Sequence, residues 1–355
     1  FAYVSTQLGN VNRLGYTAAG QPDRAQWTDA WPRGTTDHLF IHPFAVDPVD
    51  EEVMYYPAGN QIWRNNTLGA IPAYEQGGTT SGWMQLGAAA VPFGYAVSTL
   101  AVSEQPAHRL YYAGYSPDAR PVLYRLDDAH RVTDGAVDVS IPDAPSGAYV
   151  HAVAVNPLDA DEIVVVLSNY NVVGLYHSRD GGRSYTAVEG NLEGTADRPG
   201  PSLRSAAIFP AGAETLYLVG TSTGLYTATQ LAGGQTVWQQ QAADLLGNVV
   251  VEHVAVRPAD GRVAVATHGR GLFVGRIAGG GTAEPAQAEA RCSWRGSQHC
   301  SPARCRWLPA ARSSGGADLR SRLRAARRSA LRRSPRHSGS SHRWWRSAPP
   351  RRTRS

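Results

Sequence analysis

The chain of 355 residues contains no lysine; all 34 of its basic residues are arginine. Cysteine is almost as scarce. There are three, Cys292, Cys300 and Cys305, all near the C-terminus. The stretch before them therefore holds neither a disulfide framework nor a thiolate metal site. No run of 18 or more apolar residues occurs, which argues against a membrane-spanning helix. Helical periodicity is weak throughout, which argues against helical solenoids and bundles. The chain starts at Phe1, without an initiator methionine and already in strand-like sequence. A signal peptide that was removed and an N-terminus that is missing both fit this start.

Charge is distributed unevenly. Residues 1–280 hold 16 Arg against 26 Asp and Glu, whereas residues 281–355 hold 18 Arg and only Glu284, Glu289 and Asp318 as acids. The basic character thus belongs to the tail, and a nucleic-acid reading of the whole protein loses its main support. After the glycines at 279–281 there is no Val, Ile, Phe, Tyr, Met or Asn. Residues 279–355 are accordingly expected to be a disordered Arg/Ser/Pro/Ala tail that binds polyanions only non-specifically. The same lysine-free composition arises when a GC-rich gene is translated out of register, so a frame-shift origin is the second reading. His299 lies among the tail cysteines, but their spacing matches no standard zinc pairing, and no metal is expected.

Residues 1–278 repeat. A strand ending in Ala-Val-x-Pro or a variant recurs at Ala45-Val46, Ala101-Val102, Ala154-Val155, Ala207-Ile208 and Ala255-Val256, at intervals of 56, 53, 53 and 48 residues. A hairpin follows each, and its return strand opens with an aliphatic-aromatic pair: Ile62-Trp63, Leu123-Tyr124, Leu175-Tyr176, Leu225-Tyr226 and Leu272-Phe273. Glycine-containing turns such as Ala58-Gly59-Asn60 and Ser222-Thr223-Gly224 supply the positive φ that tight hairpins need. A later strand is led by Trp27, Trp83, Tyr185 or Trp238, with Val137 in the odd unit. Four short strands in about 50 residues predict an all-β propeller, in which radial packing of blades buries both sheet faces. Six blades are visible. The first lacks its innermost strand and the last its outermost, which predicts that at least one blade lies upstream.

One turn carries a specific motif, His177-Ser178-Arg179-Asp180-Gly181-Gly182-Arg183-Ser184-Tyr185. Ser178-x-Asp180-x-Gly182-x-x-Tyr185 resembles the Asp-box of BNR-repeat propellers. Asn156-Pro157-Leu158-Asp159 and Thr267-His268-Gly269-Arg270-Gly271 add to a likeness with secreted bacterial proteins of the BNR-repeat or glycosyl-hydrolase-like kind, related to sortilin-type propellers. The resemblance covers residues 1–278. It implies a secreted or cell-surface location, and it implies that Ser178, Asp180, Gly182 and Tyr185 form a peripheral folding device, not a catalytic one.

Candidate functional residues are fewer. His151 and His253 precede the Ala-Val strands, the innermost strands of a propeller; with Glu252 they are candidates to face the channel, plain packing being the alternative. His268 and Arg270 offer catalytic chemistry or simply a hairpin turn. Asp37, Asp143 and Glu252 are the candidate acids for an inverting hydrolase, whose two carboxylates stand roughly 6.5–9.5 Å apart. None lies in a recognisable catalytic motif, and no cofactor is expected. The first functional reading is a non-catalytic propeller that binds a protein, peptide or glycan through turns such as Asp37-His38, Tyr149-Val150-His151 and Val251-Glu252-His253. The second is a glycoside hydrolase of xyloglucanase or sialidase kind.

Overall fold

A computed structural model of the chain describes residues 1–277, apart from residues 88, 196, 198 and 213. The expectations for the tail, including Cys292, His299, Cys300 and Cys305, concern residues outside that range. Twenty-two strands form six antiparallel sheets in chain order. The first is β1 (Ala2–Ser5), β2 (Val11–Tyr16) and β3 (Pro22–Asp29). The second is β4 (Ala45–Val46), β5 (Met54–Ala58), β6 (Gln61–Asn65) and β7 (Trp83–Gln85). The third is β8 (Ala96–Val102), β9 (Leu110–Tyr115), β10 (Val122–Leu126) and β11 (Val137–Asp138). The fourth is β12 (Val150–Asn156), β13 (Asp159–Leu167), β14 (Leu175–Ser178) and β15 (Thr186–Ala187). The fifth is β16 (Leu203–Ala211), β17 (Glu214–Thr221), β18 (Gly224–Ala228) and β19 (Gln239–Gln241). The sixth is β20 (Val251–Arg257), β21 (Arg262–Thr267) and β22 (Gly271–Arg276). These are the blades of a β-propeller. The four middle blades have four strands; the first lacks the innermost and the sixth the outermost, as the repeat spacing predicts.

The second strand of each middle blade explains the stacking. Side chains alternate across a strand, so a continuous apolar run must be covered on both faces. Met54 and Tyr56 pack with Val11 and Ala30 of the first blade, while Val53 and Tyr55 pack with Leu110 and Tyr112 of the third. Tyr111 and Ala113 turn the other way, onto Ile163, Val165 and Leu167. Val164 and Val166 then meet Tyr217 and Val219, and Leu216 and Leu218 meet Val263 and Val265. Every core cluster is shared between neighbouring blades. Among the described residues the outward face of the sixth blade has no such cover: Leu272 and Val274 are both 56% exposed.

Polar clasps cross the same boundaries. Two residues after Ile62 and Leu123, and at the matching point of β2, stands a buried arginine: Arg64, Arg125 and Arg13. Each reaches into the outer loop of the next blade. Arg13 Nη1 and Nη2 donate to the carbonyls of Leu68 and Ile71 at 2.8 and 2.9 Å. Arg64 Nη1 donates to Ala129 and Val132 at 2.6 and 2.7 Å. Arg125 Nη1 donates to Gly181 at 3.2 Å. Burial lowers the pKa of Arg13 and Arg64, but a guanidinium stays protonated regardless. The fourth blade has His177 at this point, whose Nε2 lies 3.0 Å from Glu162 Oε1. Glu162 also accepts from Tyr217 Oη of the fifth blade at 2.6 Å and from Asn156 Nδ2 at 2.5 Å. Burial alone raises this carboxyl, but the hydrogen bonds outweigh it and hold the pKa at about 2.

Arg64→Met is expected to destabilise the fold by about 2–4 kcal/mol, because two buried carbonyls lose their donor. Arg131→Ala, at an exposed position, is expected to stay within about 0.5 kcal/mol of the parent. Urea unfolding of the two variants checks the contrast, and equal effects would remove the clasp from the account.

Candidate functional site

The innermost strands share an irregularity that repeat spacing alone does not show. In β8, β12, β16 and β20 the pairing register jumps by one residue, at Ser98, His151, Arg204 and Glu252 respectively. Each bulged residue sits three positions before the signature alanine, and His42 holds that place in the second blade. A β-bulge bends its strand and re-aims the extra side chain. The residues flanking the bulges, Val97, Val150, Leu203 and Val251, are buried between blades. His151, Arg204 and Glu252 are only partly buried at their bulges, whereas Ser98 is buried and its Oγ donates to the Val150 carbonyl of the next blade at 2.8 Å. The bulges fall at equivalent places on β12, β16 and β20, which sets His151, Arg204 and Glu252 at matching positions on the inner strands of three successive blades.

This register corrects one detail of the sequence reading. The partner of His151 in the sixth blade is Glu252, and His253 lies one residue further on. His253 is exposed and pairs with Ala266, which pairs with Leu272, so it shares the outward face of the sixth blade with that residue; desolvation lowers its pKa. Desolvation lowers His151 as well, with Arg204 next in effect. Neither imidazole has a protein hydrogen-bond partner among the described residues. Glu252 Oε1 is 3.8 Å from His268 Nδ1 in the β21–β22 turn. Arg270 donates to the Leu246 carbonyl at 2.7 Å, so it ties the turn down.

His42 behaves differently. The Leu39 N–H donates to its Nδ1 at 3.3 Å, and its Nε2 lies 2.8 Å from the Pro57 carbonyl. That pattern requires the neutral tautomer protonated at Nε2. Burial first, and His38 second, lower its pKa to about 4.

The loops that lead into the inner strands and the turns between second and third strands form one face of the disc. Backbone bonds join them: the Gly59 N–H donates to the Asp37 carbonyl at 3.3 Å, Ser168 to Tyr149 at 3.2 Å and His268 to Val250 at 2.9 Å. Between the second and third blades this face holds a groove of about 650 Å³. Trp63, Phe93, Tyr95 and Tyr115 line it, with Asp37, Asn60, Gln61 and Gln85 between them. Phe93 is 99% exposed, an unusual state for a large apolar side chain. A second groove, of about 520 Å³, lies by Tyr170 with Glu189 and Glu193. Glu189 accepts the Gly174 N–H. Burial raises its pKa, and nearby Glu193 adds to the rise.

The Ser178–Tyr185 turn lies at the opposite end of the strands. Ser178 Oγ donates to Asp180 Oδ1 at 2.8 Å and accepts the Gly182 N–H at 2.9 Å. Asp180 accepts the Ser184 N–H at 2.9 Å and the Ser184 hydroxyl at 2.6 Å. Gly181 and Gly182 have φ of +71° and +87°, which glycine adopts without strain. Tyr185 Oη donates to the Val139 carbonyl of the third blade at 2.6 Å. The bonds from Ser184 hold the Asp180 carboxyl at about 2. The Ser178, Asp180, Ser184 and Tyr185 side chains are all used within the fold.

The three candidate acids are not brought together. Asp37 sits on the second blade, accepting from Thr36 Oγ1 at 3.1 Å. Asp143 is exposed in the loop between β11 and β12, and Glu252 is on the sixth blade. No hydrogen bond or ion pair joins any two of them among the described residues. Repeat spacing does not single out Arg204 and Ser98, although counting back three residues from each signature alanine finds both. Nor does it mark Trp63 and Phe93 as groove residues.

The depressed pKa of His42 sets a pH dependence. Between its ordinary value of 6.5 and about 4, the unfolded chain takes up a proton that the folded one refuses, so stability falls with pH. The loss attributable to His42 is about 3 kcal/mol across that window. Thermal melts at pH 7.5 and 4.5 check this: the parent is expected to lose more stability than His42→Gln, and equal losses would contradict the assignment.

No protein-family model matches the chain, and no curated protein is similar to it in sequence. Among solved structures, it is similar to an ancestral GH74 enzyme, with a TM-score of 0.52 and 12% identity over 78% of this chain and 34% of the other. It is also similar to the GH74 xyloglucanase from Xanthomonas campestris (TM-score 0.45, 20% identity, 79% of this chain, 42% of the other). A third is YCF48 from Cyanidioschyzon merolae (0.39, 15%, 69% of each). The chain spans less than half the length of either GH74 protein. At such identities the likeness concerns the fold alone, and in fold the described residues form six blades of a β-propeller.

Proposed function

We propose that the protein is a secreted or cell-surface propeller that binds a glycan chain, without catalysis, on the face where the inner strands begin. The groove between the second and third blades carries this reading. It places four aromatic side chains among amide and carboxylate groups. Aromatic rings cover the apolar C–H faces of sugars, while fixed polar groups read the hydroxyls; few, well-placed polar groups in an apolar cleft are what a small-ligand site requires. An exposed Phe93 is costly in water and gains from being covered. Protein or peptide ligands are the other occupants that such a face admits, and they are the alternative outcome of the test.

A second reading, glycoside hydrolysis, is favoured by Glu189 and Glu193 in the smaller groove. A carboxyl raised by burial beside a second carboxyl is a pairing that general acid catalysis uses. It remains second because the Glu189 carboxylate is already committed to the Gly174 N–H.

Affinity electrophoresis through gels containing xyloglucan, mixed-linkage glucan or mannan tests both. The parent is expected to be retarded in at least one, with Trp63→Ala and Phe93→Ala each weakening binding about tenfold or more, as loss of a buried aromatic contact does. Release of reducing ends from the same polymers, abolished by Glu189→Gln, would establish the hydrolase reading. Absence of retardation in every gel would overturn the glycan assignment in favour of a peptide or protein ligand.

A further inference from the structure

The aromatic groove carries a charge that the fold leaves unmatched. Two charged side chains line it, Arg33 and Asp37. Arg33 is matched: its Nη2 lies 2.6 Å from Glu75 Oε2 and donates to the Gly78 carbonyl at 2.7 Å. The Thr36 hydroxyl donates to Asp37 Oδ2 at 3.1 Å, but no cation pairs with Asp37 among the described residues. The groove therefore keeps one negative charge without a partner. Backbone geometry holds that carboxylate in place. Asp37 has φ of +60°, in the left-handed region, and its carbonyl accepts the Gly59 N–H at 3.3 Å. Its side chain lies over Gly59, where an added Cβ would stand 3.3 Å from Asp37 Cβ and 3.7 Å from Oδ2. A row of amides starts beside this turn. Gln85 Nε2 donates to Gln61 Oε1 at 2.8 Å, Gln61 Nε2 to Asn60 Oδ1 at 3.1 Å, and Asn60 Nδ2 to the Val91 carbonyl at 3.2 Å. Trp63 belongs to the same face, since it pairs with Gln85 and stands two residues after Gln61 on β6. Asp37 Oδ1 and Gln85 Oε1 have no protein donor among the described residues.

We propose that this groove prefers a glycan with free amino groups, an amino-sugar chain whose ammonium is set against Asp37; this rests on the glycan reading of the groove. A carboxylate and aromatic rings together attract an ammonium group. The carboxylate does so by a charge-assisted hydrogen bond, and the rings through their negative faces. An ammonium donates three hydrogen bonds and accepts none, which suits a lining whose uncommitted oxygens are Asp37 Oδ1 and Gln85 Oε1. A neutral chain gains the aromatic and amide contacts but leaves the carboxylate unmatched. A uronate or sulfated chain meets repulsion from it. A lysine-rich peptide carries the same positive group, but on a flexible stem that offers the amide row no hydroxyls. Asp37 is exposed, so salt screens the attraction, and the preference falls as ionic strength rises.

The test is calorimetric titration of the full chain with oligosaccharides of equal length, at low salt and in buffer acidic enough to keep sugar amines protonated. The probes are a β-1,4-linked glucosamine oligomer, its fully N-acetylated form, a cello-oligosaccharide and an oligogalacturonate. The glucosamine oligomer is expected to bind about tenfold or more tightly than its acetylated form, as one charge-assisted hydrogen bond allows, and the galacturonate is expected to bind weakest. Asp37→Asn is expected to bring the ratio of glucosamine to acetylated oligomer close to one; asparagine also tolerates positive φ, so the turn is kept. Asp134→Asn, an equal change of net charge at an exposed position outside the groove, is expected to keep the parent's ratio. Equal binding of the two oligomers by the parent would overturn the proposal and leave the glycan reading standing. Binding of none of the four probes would overturn both. A ratio undiminished in Asp37→Asn, or lost equally in Asp134→Asn, would also overturn the proposal. So would tighter, Asp37-dependent binding of an oligolysine peptide, which would assign the groove to a protein ligand. Should Asp37→Asn not fold, the parent's preference and its decline with added sodium chloride decide.

Discussion

A strand that is apolar on both faces cannot stand alone in water. The runs Val53–Tyr56, Leu110–Ala113, Ile163–Leu167 and Leu216–Val219 are buried on both sides, and each is covered only because a neighbouring blade presents a matching run. That mutual dependence is the constraint on which the rest rests. It fixes the register of every sheet, since a slip of one residue exchanges the two sets of side chains. It also sets the order of local stability, because among the described residues the first and sixth blades share a core with one neighbour each.

The arginine clasps add direction to this packing. Apolar faces attract without specifying how far one blade slides past the next. Arg13 and Arg64 reach pairs of carbonyls in the following blade's outer loop, and Arg125 reaches Gly181 inside the Ser178–Tyr185 turn. That turn is therefore an anchor for the third blade as well as a reversal of the fourth. The Glu162 network does the same between the fourth and fifth blades, and there the buried charge is matched by three donors. With the blades held at their rims, the inner strands bulge at equivalent places, and the bulged His151, Arg204 and Glu252 stay partly exposed.

The fold was largely legible in the sequence. The 48–56-residue recurrence of the Ala-Val strand, the aliphatic-aromatic pairs and the glycine turns all report local chemistry, and blades are local in sequence. The short ends were legible for the same reason: Phe1–Thr6 reads as a second strand and Leu272-Phe273 as a third. The clasp was half visible, since Arg64 and Arg125 follow directly on Ile62-Trp63 and Leu123-Tyr124, but its carbonyl partners lie some 55–70 residues away. The candidate site was harder to read. A bulge is a property of two paired strands, so its residue does not stand out in one of them. This is why His151 was matched with His253 and not with Glu252, and why Arg204 escaped notice. The aromatic groove is assembled from loops of two blades, with Trp63 and Phe93 in different repeats, and no spacing within one repeat encodes it.

Native-state hydrogen exchange tests the central dependence most directly. If each blade is stable only through its neighbours, amides of β5, β9, β13 and β17 exchange slowest and at similar free energies, while those of β1, β3 and β22 exchange first. Slow exchange in β1 and β22 equal to that of the middle blades, or one middle sheet opening independently of those beside it, would contradict the account.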